Sequence, residues 1–233
     1  MTRKVCVVVG VGPGNGAAFA SRFSKEGYHL ALLARSKNFT HKLADKLGKA
    51  YAYECDVCDN ESVQKTFTQI QKDLGAIDVI VYNAGSGLWG NIEEIEPKDF
   101  EASWRVNALG LMLVSQCVIP SMKQNGQGKL IIIGATASKR GAIKTAAFAP
   151  AKAAQRILGE SMAKYLGPLG IHVALVIIDG IVDLPKAREY MPNKPDSFFV
   201  KPDDVADTVY WLTQQAPSAW SFEVEIRPFG ETW

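Results

Sequence analysis

Short apolar runs rich in β-branched residues alternate with longer amphipathic segments along almost the whole chain. The runs are predicted strands, and they cover residues 4–10, 28–34, 50–54, 77–82, 129–133, 172–178 and 223–227. The segments between them repeat apolar side chains at three- and four-residue spacing, which predicts helices over residues 15–26, 37–47, 60–74, 98–123, 145–166 and 202–213. Right-handed crossovers join parallel strands in such a series. The alternation therefore predicts an α/β fold, a doubly wound domain with a seven-stranded, mostly parallel sheet and three helices on each face.

The size and charge of the chain fit one soluble domain and exclude several classes of partner. With 233 residues, 47% of them hydrophobic, the chain can build one sizeable core, and we expect a single domain over residues 1–233. The net charge of +2 is spread without a block of Lys or Arg, so neither nucleic acid nor a membrane is expected as a partner. Residues 5–9 are too few to span a membrane and no signal cleavage pattern follows them, so the expected compartment is cytoplasmic.

Two cysteines have the spacing of a metal-binding pair. Cys55 and Cys58 are separated by two residues, but no second Cys or His pair completes a set of four ligands. A zinc or redox role and a pair of reduced structural thiols are both open. No metal is predicted.

A glycine-rich turn follows the first predicted strand and leads directly into the first predicted helix. Such a turn lets the backbone approach a phosphate closely, and the helix N-terminus offers N–H groups and a partial positive charge to a pyrophosphate. Gly12, Gly14 and Ala17 match the pattern G-x-G-x-x-[GA]. Gly10, Gly14 and Gly16 match the alternative pattern G-x-x-x-G-x-G. The predicted pyrophosphate-binding residues are Gly10, Gly12, Gly14, Asn15 and Gly16.

The second glycine pattern resembles that of the short-chain dehydrogenases/reductases, and further motifs match this family in order and spacing over nearly the whole chain. Asn83-Ala84-Gly85 follows the fourth predicted strand, like the family's Asn-Ala-Gly motif, and Asp56-Val57 follows the third, where the family contacts adenine. Asn107 lies in the long helix predicted over 98–123, like the family's active-site Asn, and Lys152 stands where the family has its cofactor-binding Lys. The resemblance implies a Rossmann-type domain, a nicotinamide cofactor and an oxidoreductase activity.

The end of the second predicted strand bears on which nicotinamide cofactor is bound. An acidic residue there would bind the ribose 2′-OH of NAD(H) and repel an added phosphate, but this chain has Ala34 followed by Arg35 and Ser36. A guanidinium binds a 2′-phosphate with two charge-assisted hydrogen bonds. NADP(H) is therefore favoured over NAD(H). The alternative is that Arg35 is a solvated charge at the start of a helix.

The two side chains that handle protons in the family are replaced by apolar ones. The family has a Tyr four residues before the Lys, which exchanges a proton with the substrate oxygen, and a Ser that orients the carbonyl. Alignment on Lys152 places Phe148 at the Tyr position and Ala135 at the Ser position. Lys152 and Asn107 remain as the candidate catalytic residues. Thr136 or Ser138 replaces the lost hydroxyl only if the loop shifts.

The segment after the sixth predicted strand also departs from the family, which usually has Pro-Gly and a downstream Thr. This chain has Asp179-Gly180-Ile181-Val182-Asp183. Gly180 and Ile181 are expected to present their backbone to the nicotinamide carboxamide. Asp179 or Asp183 is either a substitute acid, its pKa raised by the neighbouring carboxylate, or a hydrogen-bonded loop carboxylate. Residues 183–202, rich in Pro and aromatics, are either a substrate lid or an irregular surface loop that packs its aromatics.

Two functions from different classes follow. The first is an NADP(H)-dependent oxidoreductase with an altered active site, which reduces a carbonyl-activated C=C or a C=O bond of an apolar small molecule. The second is a catalytically silent NADP(H)-binding sensor or assembly protein. A homodimer or homotetramer is expected because the helices predicted over 98–123 and 145–166 lie where family members pair, although apolar residues such as Leu111, Leu113 and Val118 would also suit a buried helix.

Overall fold

The computed structural model describes residues 4–231 and confirms the predicted sheet; residues 1–3 and 232–233 of the expected domain lie outside the described part. The seven strands of the main sheet are β1 (Val5–Val9), β2 (His29–Ala34), β3 (Ala50–Glu54), β4 (Val79–Tyr82), β5 (Gly128–Ala135), β6 (Ile171–Ile178) and β9 (Glu223–Ile226). Their order is β3-β2-β1-β4-β5-β6-β9, and every ladder is parallel. The chain therefore forms a single Rossmann-type α/β domain, and its order reverses between β1 and β4, where α/β sheets bind ligands.

Three long helices cover each face of this sheet, as the sequence predicts. On one face lie α1 (Asn15–Lys25), α2 (Lys37–Leu47) and α8 (Pro202–Gln214), packed on strand residues such as Val8 and Leu32. On the other lie α3 (Asn60–Leu74), α5 (Gly110–Asn125) and α6 (Phe148–Leu166), packed on alternate strand residues such as Val7 and Ile132. The buried strands carry apolar side chains toward both faces, because both faces of a parallel sheet are covered.

Several predicted boundaries are wrong, each for a local reason. The fourth strand begins at Val79 rather than 77, and the fifth extends to Ala135, because Gly134 and Ala135 continue the ladder with β6. The predicted helix over 98–123 is α4 (Pro97–Trp104), a π turn (Arg105–Leu109) and α5 in succession. The predicted helix over 145–166 begins at Phe148, because Thr145 is held in a turn by Ala142 and bridges Gly90.

The segment 183–202 is more regular than predicted. Two short strands, β7 (Ile181–Val182) and β8 (Phe199–Val200), pair in parallel and close it at both ends. Between them lie the short helix α7 (Pro185–Tyr190) and a 3₁₀ turn. The Arg188 guanidinium binds Asp183 and Asp196, which lie on either side of α7, and it stacks over the Phe199 ring. These contacts hold the segment as one unit.

An apolar helical run extends from Pro97 to Asn125. Such a run suits a membrane span, a subunit interface or a buried core helix. By length and composition it passes as a membrane span, but half of its most apolar window is buried within the protein, as in a core helix. Leu111, Leu113 and Val118 are all buried in the monomer. Burial therefore accounts for these residues without a partner subunit.

Candidate functional site

A cleft of about 1170 Å³ opens at the carboxyl ends of β1, β2 and β4. Eleven of the predicted cofactor residues line it: Gly10, Gly12, Asn15, Gly16, Arg35, Ser36, Asp56, Val57, Asn83, Ala84 and Gly85. A further group also lines it that sequence reasoning missed, including Asn38, Phe39, Cys58, Leu88, Arg105, Val106, Val182 and Leu184. The cleft has the size of a cofactor site and lies where the strand order reverses.

The glycine-rich turn lies at the floor of this cleft, and its contacts distinguish between the two glycine patterns. Gly10 has φ +88°, and a Cβ there would lie 2.6 Å from the backbone of Ala84. Gly14 has φ +119°, and a Cβ on Gly16 would lie 2.8 Å from the Gly10 carbonyl oxygen. A Cβ on Gly12 would meet nothing within 4 Å. The pattern formed by Gly10, Gly14 and Gly16 is therefore the one required by the backbone.

We predict that Gly10→Ala destabilises the protein by about 2–5 kcal/mol, since overpacking and an unfavourable φ each cost about 1–3 kcal/mol. The Asn83 amide donates to the Gly10 carbonyl oxygen at 2.7 Å, so the displaced turn also loses this hydrogen bond. Urea unfolding measures the loss. Gly12→Ala is the matched control, and its stability should equal that of wild type because the added methyl enters open space. Equal stability of the two variants would contradict this account.

The far end of the cleft lies beyond β2 and β3. Arg35 and Ser36 follow β2 and are exposed, and Asp56 is fixed by accepting a hydrogen bond from the Cys58 backbone at 2.9 Å. Arg105, from the π turn, donates to the Cys58 carbonyl oxygen at 3.0 Å. Two guanidinium groups, Arg35 and Arg105, thus line one end of the cleft. The carboxylates Asp56 and Asp99 line the cleft as well.

Two cysteines lie at this end of the cleft. Cys55 is buried and Cys58 half-buried, and both line the cleft. Burial raises the pKa of both the Cys55 and the Cys58 thiol, which disfavours the thiolate that metals and oxidants require. Among residues 4–231, no group of three or more His, Cys, Asp or Glu side chains is placed to hold a metal ion.

Lys152 and Asn107 come together behind the Asn83-Ala84-Gly85 turn. A Cβ on Gly85 would lie 3.3 Å from Asn107 Oδ1 and 3.6 Å from Lys152 Nζ. Lys152 is 6% exposed, and its Nζ donates to the Ile133 carbonyl oxygen at 2.8 Å and to Gln155 Oε1 at 3.0 Å. Its burial lowers the pKa of Lys152 to about 7, and no carboxylate of the described residues contributes to the shift. Sequence reasoning identified the lysine but missed Gln155.

This pKa makes stability depend on pH in a predictable direction. The pKa of Lys152 is about 7 in the folded protein and about 10.4 in an unfolded chain, so between these values the unfolded state binds more protons and stability rises with pH. We therefore compare wild type with Lys152→Met, which lacks the titrating group. Between about pH 6.5 and about pH 9.5, the unfolding free energy of wild type should rise by about 3 kcal/mol relative to that of the variant. Parallel urea curves measure it. A difference that does not change with pH would show that Lys152 stays charged.

Phe148 lies at the start of α6 and Ala135 at the end of β5. The Phe148 ring centroid is 6.0 Å from Lys152 Nζ and 5.6 Å from the ring of Trp89, whose side chain is 64% exposed. Each of the two neighbouring hydroxyls makes a hydrogen bond, Thr136 as the donor and Ser138 as the acceptor. Thr136 Oγ1 donates to Asp179 at 2.5 Å, and Ser138 Oγ accepts from the Ala135 backbone at 3.1 Å.

The carboxylates after β6 are paired with arginines. Asp179 forms an ion pair with Arg227 at 3.0 Å, and Arg188 binds Asp183 through both carboxylate oxygens and holds the pKa of Asp183 below its usual value. Of the two alternatives for Asp183, this lowered pKa favours the hydrogen-bonded loop carboxylate over the substitute acid. A carboxyl that sequence reasoning missed, Glu231, has its pKa raised by burial and by Asp179.

Gly180 and Ile181 do not line the cleft. A Cβ on Gly180 would lie 2.7 Å from Pro228 and 2.9 Å from Glu231, so the chain's last described residues cover it. The same segment enters the cleft at Val182 and Leu184 instead. Leu184 lies closest to the glycine-rich turn, because a Cβ on Gly14 would overlap its side chain.

Comparison with known proteins identifies the family to which this chain belongs. The family model of the short chain dehydrogenases matches residues 4–194, which include the glycine-rich turn, the Asn83-Ala84-Gly85 turn, Phe148 and Lys152. The chain belongs to the short-chain dehydrogenase family. An uncharacterized oxidoreductase of Staphylococcus aureus strain USA300 is 26% identical over 230 residues, 98% of each chain. The 3-oxoacyl-[acyl-carrier-protein] reductase of Mus musculus is 28% identical over 217 residues, 91% of each.

Solved structures of other dehydrogenases superpose on this chain over nearly the full length. A short-chain dehydrogenase from Rhodopseudomonas palustris is 30% identical, with a TM-score of 0.84 over 97% of this chain and 99% of that one. An alcohol dehydrogenase from Thermococcus sibiricus, solved with 5-hydroxy-NADP, is 26% identical, with a TM-score of 0.88 over 99% and 98%. These likenesses make the chain a short-chain dehydrogenase-type oxidoreductase.

Proposed function

We propose that the protein is an NADP(H)-dependent oxidoreductase whose proton chemistry differs from that of its family. The observation that carries the proposal is a cleft with a tight glycine turn and two arginines at one end, next to a buried Lys152 whose neighbour in the preceding helical turn is Phe148. A bound nicotinamide would supply the hydride. The chain itself must bind the dinucleotide and exclude bulk water. It must also either donate a proton to the substrate or leave that step to another source.

The shape and charge of the cleft suit a phosphorylated dinucleotide. Gly12 leaves open space beside the turn, and α1 begins directly after it at Asn15, so a helix N-terminus follows the turn as in a pyrophosphate site. Arg35 is exposed at the end of β2 with Ser36 beside it, where a ribose 2′-phosphate would lie. The solved relatives that carry NADP or 5-hydroxy-NADP support this choice of cofactor.

Phe148 and Ala135 occupy the positions of the family's Tyr and Ser in this proposal. Neither side chain can donate a proton or a hydrogen bond, and Thr136 and Ser138 are held by Asp179 and the Ala135 backbone. Lys152, with a pKa of about 7, is then a titratable group next to Gly85 of the cleft. Reduction of a C=C bond conjugated to a carbonyl suits such a site, because water, Lys152 or the substrate itself can supply the proton.

The substrate is expected to be a small apolar molecule. Leu88 lines the cleft, the Phe148 ring contacts Trp89 beside Lys152, and Leu184 brings the 183–202 segment onto the glycine turn. This segment acts as the substrate lid in our proposal. The pairing of β7 with β8 joins its two ends, and Arg188 links Asp183 to Asp196 across α7. The segment would therefore move as one unit.

The assembly expected for the protein is a homodimer or homotetramer in the cytoplasm. Large apolar side chains remain exposed on the helices α4, α5 and α6, among them Phe100, Trp104, Met112, Ile157 and Tyr165. Exposed apolar residues on adjacent helices are typical of a surface that pairs with another subunit.

The second candidate is a silent NADP(H)-binding protein, and the loss of both proton-handling side chains favours it. Steady-state oxidation of NADPH with a panel of ketones and conjugated enones separates the two. Turnover of at least one enone, absent in a Lys152→Met variant, supports the reductase. Binding of NADPH without turnover of any compound would support the silent binder and contradict the proposed activity.

A further inference from the structure

The side chain of Gln155 is fully buried, and both ends of its amide are hydrogen-bonded. Its Oε1 accepts from Lys152 Nζ at 3.0 Å, and its Nε2 donates to the Asn107 carbonyl oxygen at 3.0 Å. The charged form of Lys152 offers only donors, and in either form the Asn107 carbonyl only accepts. The opposite orientation of the amide would lose both hydrogen bonds, so this orientation is fixed.

The two oxygen atoms that Lys152 contacts determine where its proton can be exchanged. A charged lysine carries three N–H groups and a neutral one carries two N–H groups and one lone pair. Ile133 O and Gln155 Oε1 both accept, so they hold two N–H groups in either state. The third position around Nζ is the one that gains or loses the proton. Gly85, which lines the cleft, lies next to Nζ.

We infer that Gln155 is a positioning residue that fixes the Lys152 amine and thereby directs its exchangeable proton toward the cleft. The role of that proton rests on the proposed function, whereas the fixing of Lys152 does not. Gln155 also joins α6 to the π turn through the Asn107 carbonyl oxygen. It therefore keeps Lys152 and the turn that carries Asn107 in one arrangement.

The groups around Nζ make this inference testable by titration. Gln155 and Asn107 contribute amides, Ile133 a carbonyl and Phe148 a ring, and burial alone lowers the pKa of Lys152. Within the described part of the chain no charged side chain contributes to this shift. A charge introduced at position 155 should therefore act on Lys152 directly.

The test is to follow the pH titration of the Lys152 Cε carbon by NMR in ¹³C-lysine-labelled protein, with the signal assigned by its loss in Lys152→Met. In Gln155→Glu the midpoint should rise by roughly 1–3 pH units, because a carboxylate beside the amine favours its charged form. In Gln155→Leu it should fall by about one unit, because the ammonium loses an acceptor while staying buried. Ser115→Ala, which removes a buried hydrogen bond from α5, is the control and should leave the midpoint unchanged.

Opposite shifts in the two Gln155 variants support the inference. A rise in Gln155→Leu would mean that Gln155 only maintains packing, since water entering a loosened site raises the midpoint, and would overturn the inference. An unchanged midpoint in Gln155→Glu would overturn it as well, and this variant suffices if Gln155→Leu does not fold. NADPH affinity measured on the same samples tests the proposed function separately, because the Lys152 midpoint requires neither cofactor nor activity.

Discussion

The double variant Phe148→Tyr, Ala135→Ser is expected to gain reduction of simple ketones with NADPH by about 10²- to 10⁴-fold over wild type. A positioned general acid contributes about 10²–10⁴ and an oxyanion donor about 10²–10³, and groups that act together do not contribute independently. The Phe148 ring lies 6.0 Å from Lys152 Nζ, so a phenol at this position would lie beside an amine that stabilises its anion. Initial rates of NADPH oxidation with a ketone panel measure the gain.

The matched control for this gain keeps the tyrosine and moves the serine. Ala137 is buried two residues after Ala135, in the 3₁₀ turn that follows β5. Phe148→Tyr, Ala137→Ser should therefore gain less activity than the first double variant. If neither double variant reduces ketones while both bind NADPH as wild type does, the remaining groups of the site do not have the family's alignment.

Arg35→Ala is expected to weaken NADPH binding by about 10- to 100-fold and to leave NADH binding unchanged. A hydrogen bond to a charged group contributes about 1.5–3 kcal/mol, and each 1.4 kcal/mol is tenfold in affinity. Only NADPH carries the phosphate that Arg35 would bind, so the effect should be confined to that cofactor. Fluorescence titration of both cofactors at one salt concentration measures it.

Lys42→Ala provides the control for charge alone. Lys42 is exposed on α2, the helix that follows Arg35, and it does not line the cleft. This variant should change NADPH affinity by less than about twofold, because exposed charges at a distance are screened by salt. An equal loss in both variants would indicate a general electrostatic effect, and no loss in Arg35→Ala would make Arg35 the solvated charge that the sequence also allowed.

The fold could be predicted from the sequence because each βαβ unit carries its own pattern of apolar residues. The seven strands, their parallel arrangement and three helices on each face all follow from that local pattern, and all are confirmed. The π turn could not be predicted, because its apolar spacing resembles that of the α-helix around it. The pairing of β7 with β8 was missed because each strand has only two residues.

The site could be predicted where its residues belong to one contiguous motif, and not where distant segments meet. The glycine turn and Asn83-Ala84-Gly85 each follow a strand, so the sheet edge brings them together. Arg105 and Leu184 reach the cleft from separate helices and loops, and their sequence neighbours give no sign of it. Gln155 could have been predicted from its spacing, because a residue three positions after Lys152 lies on the same helix face.

The central claim is that the cleft binds NADP(H) although the family's proton-handling side chains are absent. The most direct measurement is a fluorescence titration of the wild-type protein with NADPH and with NADH. The account predicts saturable binding of both, with NADPH bound at least about tenfold more tightly, the equivalent of one charge-assisted contact to the 2′-phosphate. Binding of neither cofactor, or tighter binding of NADH, would contradict it.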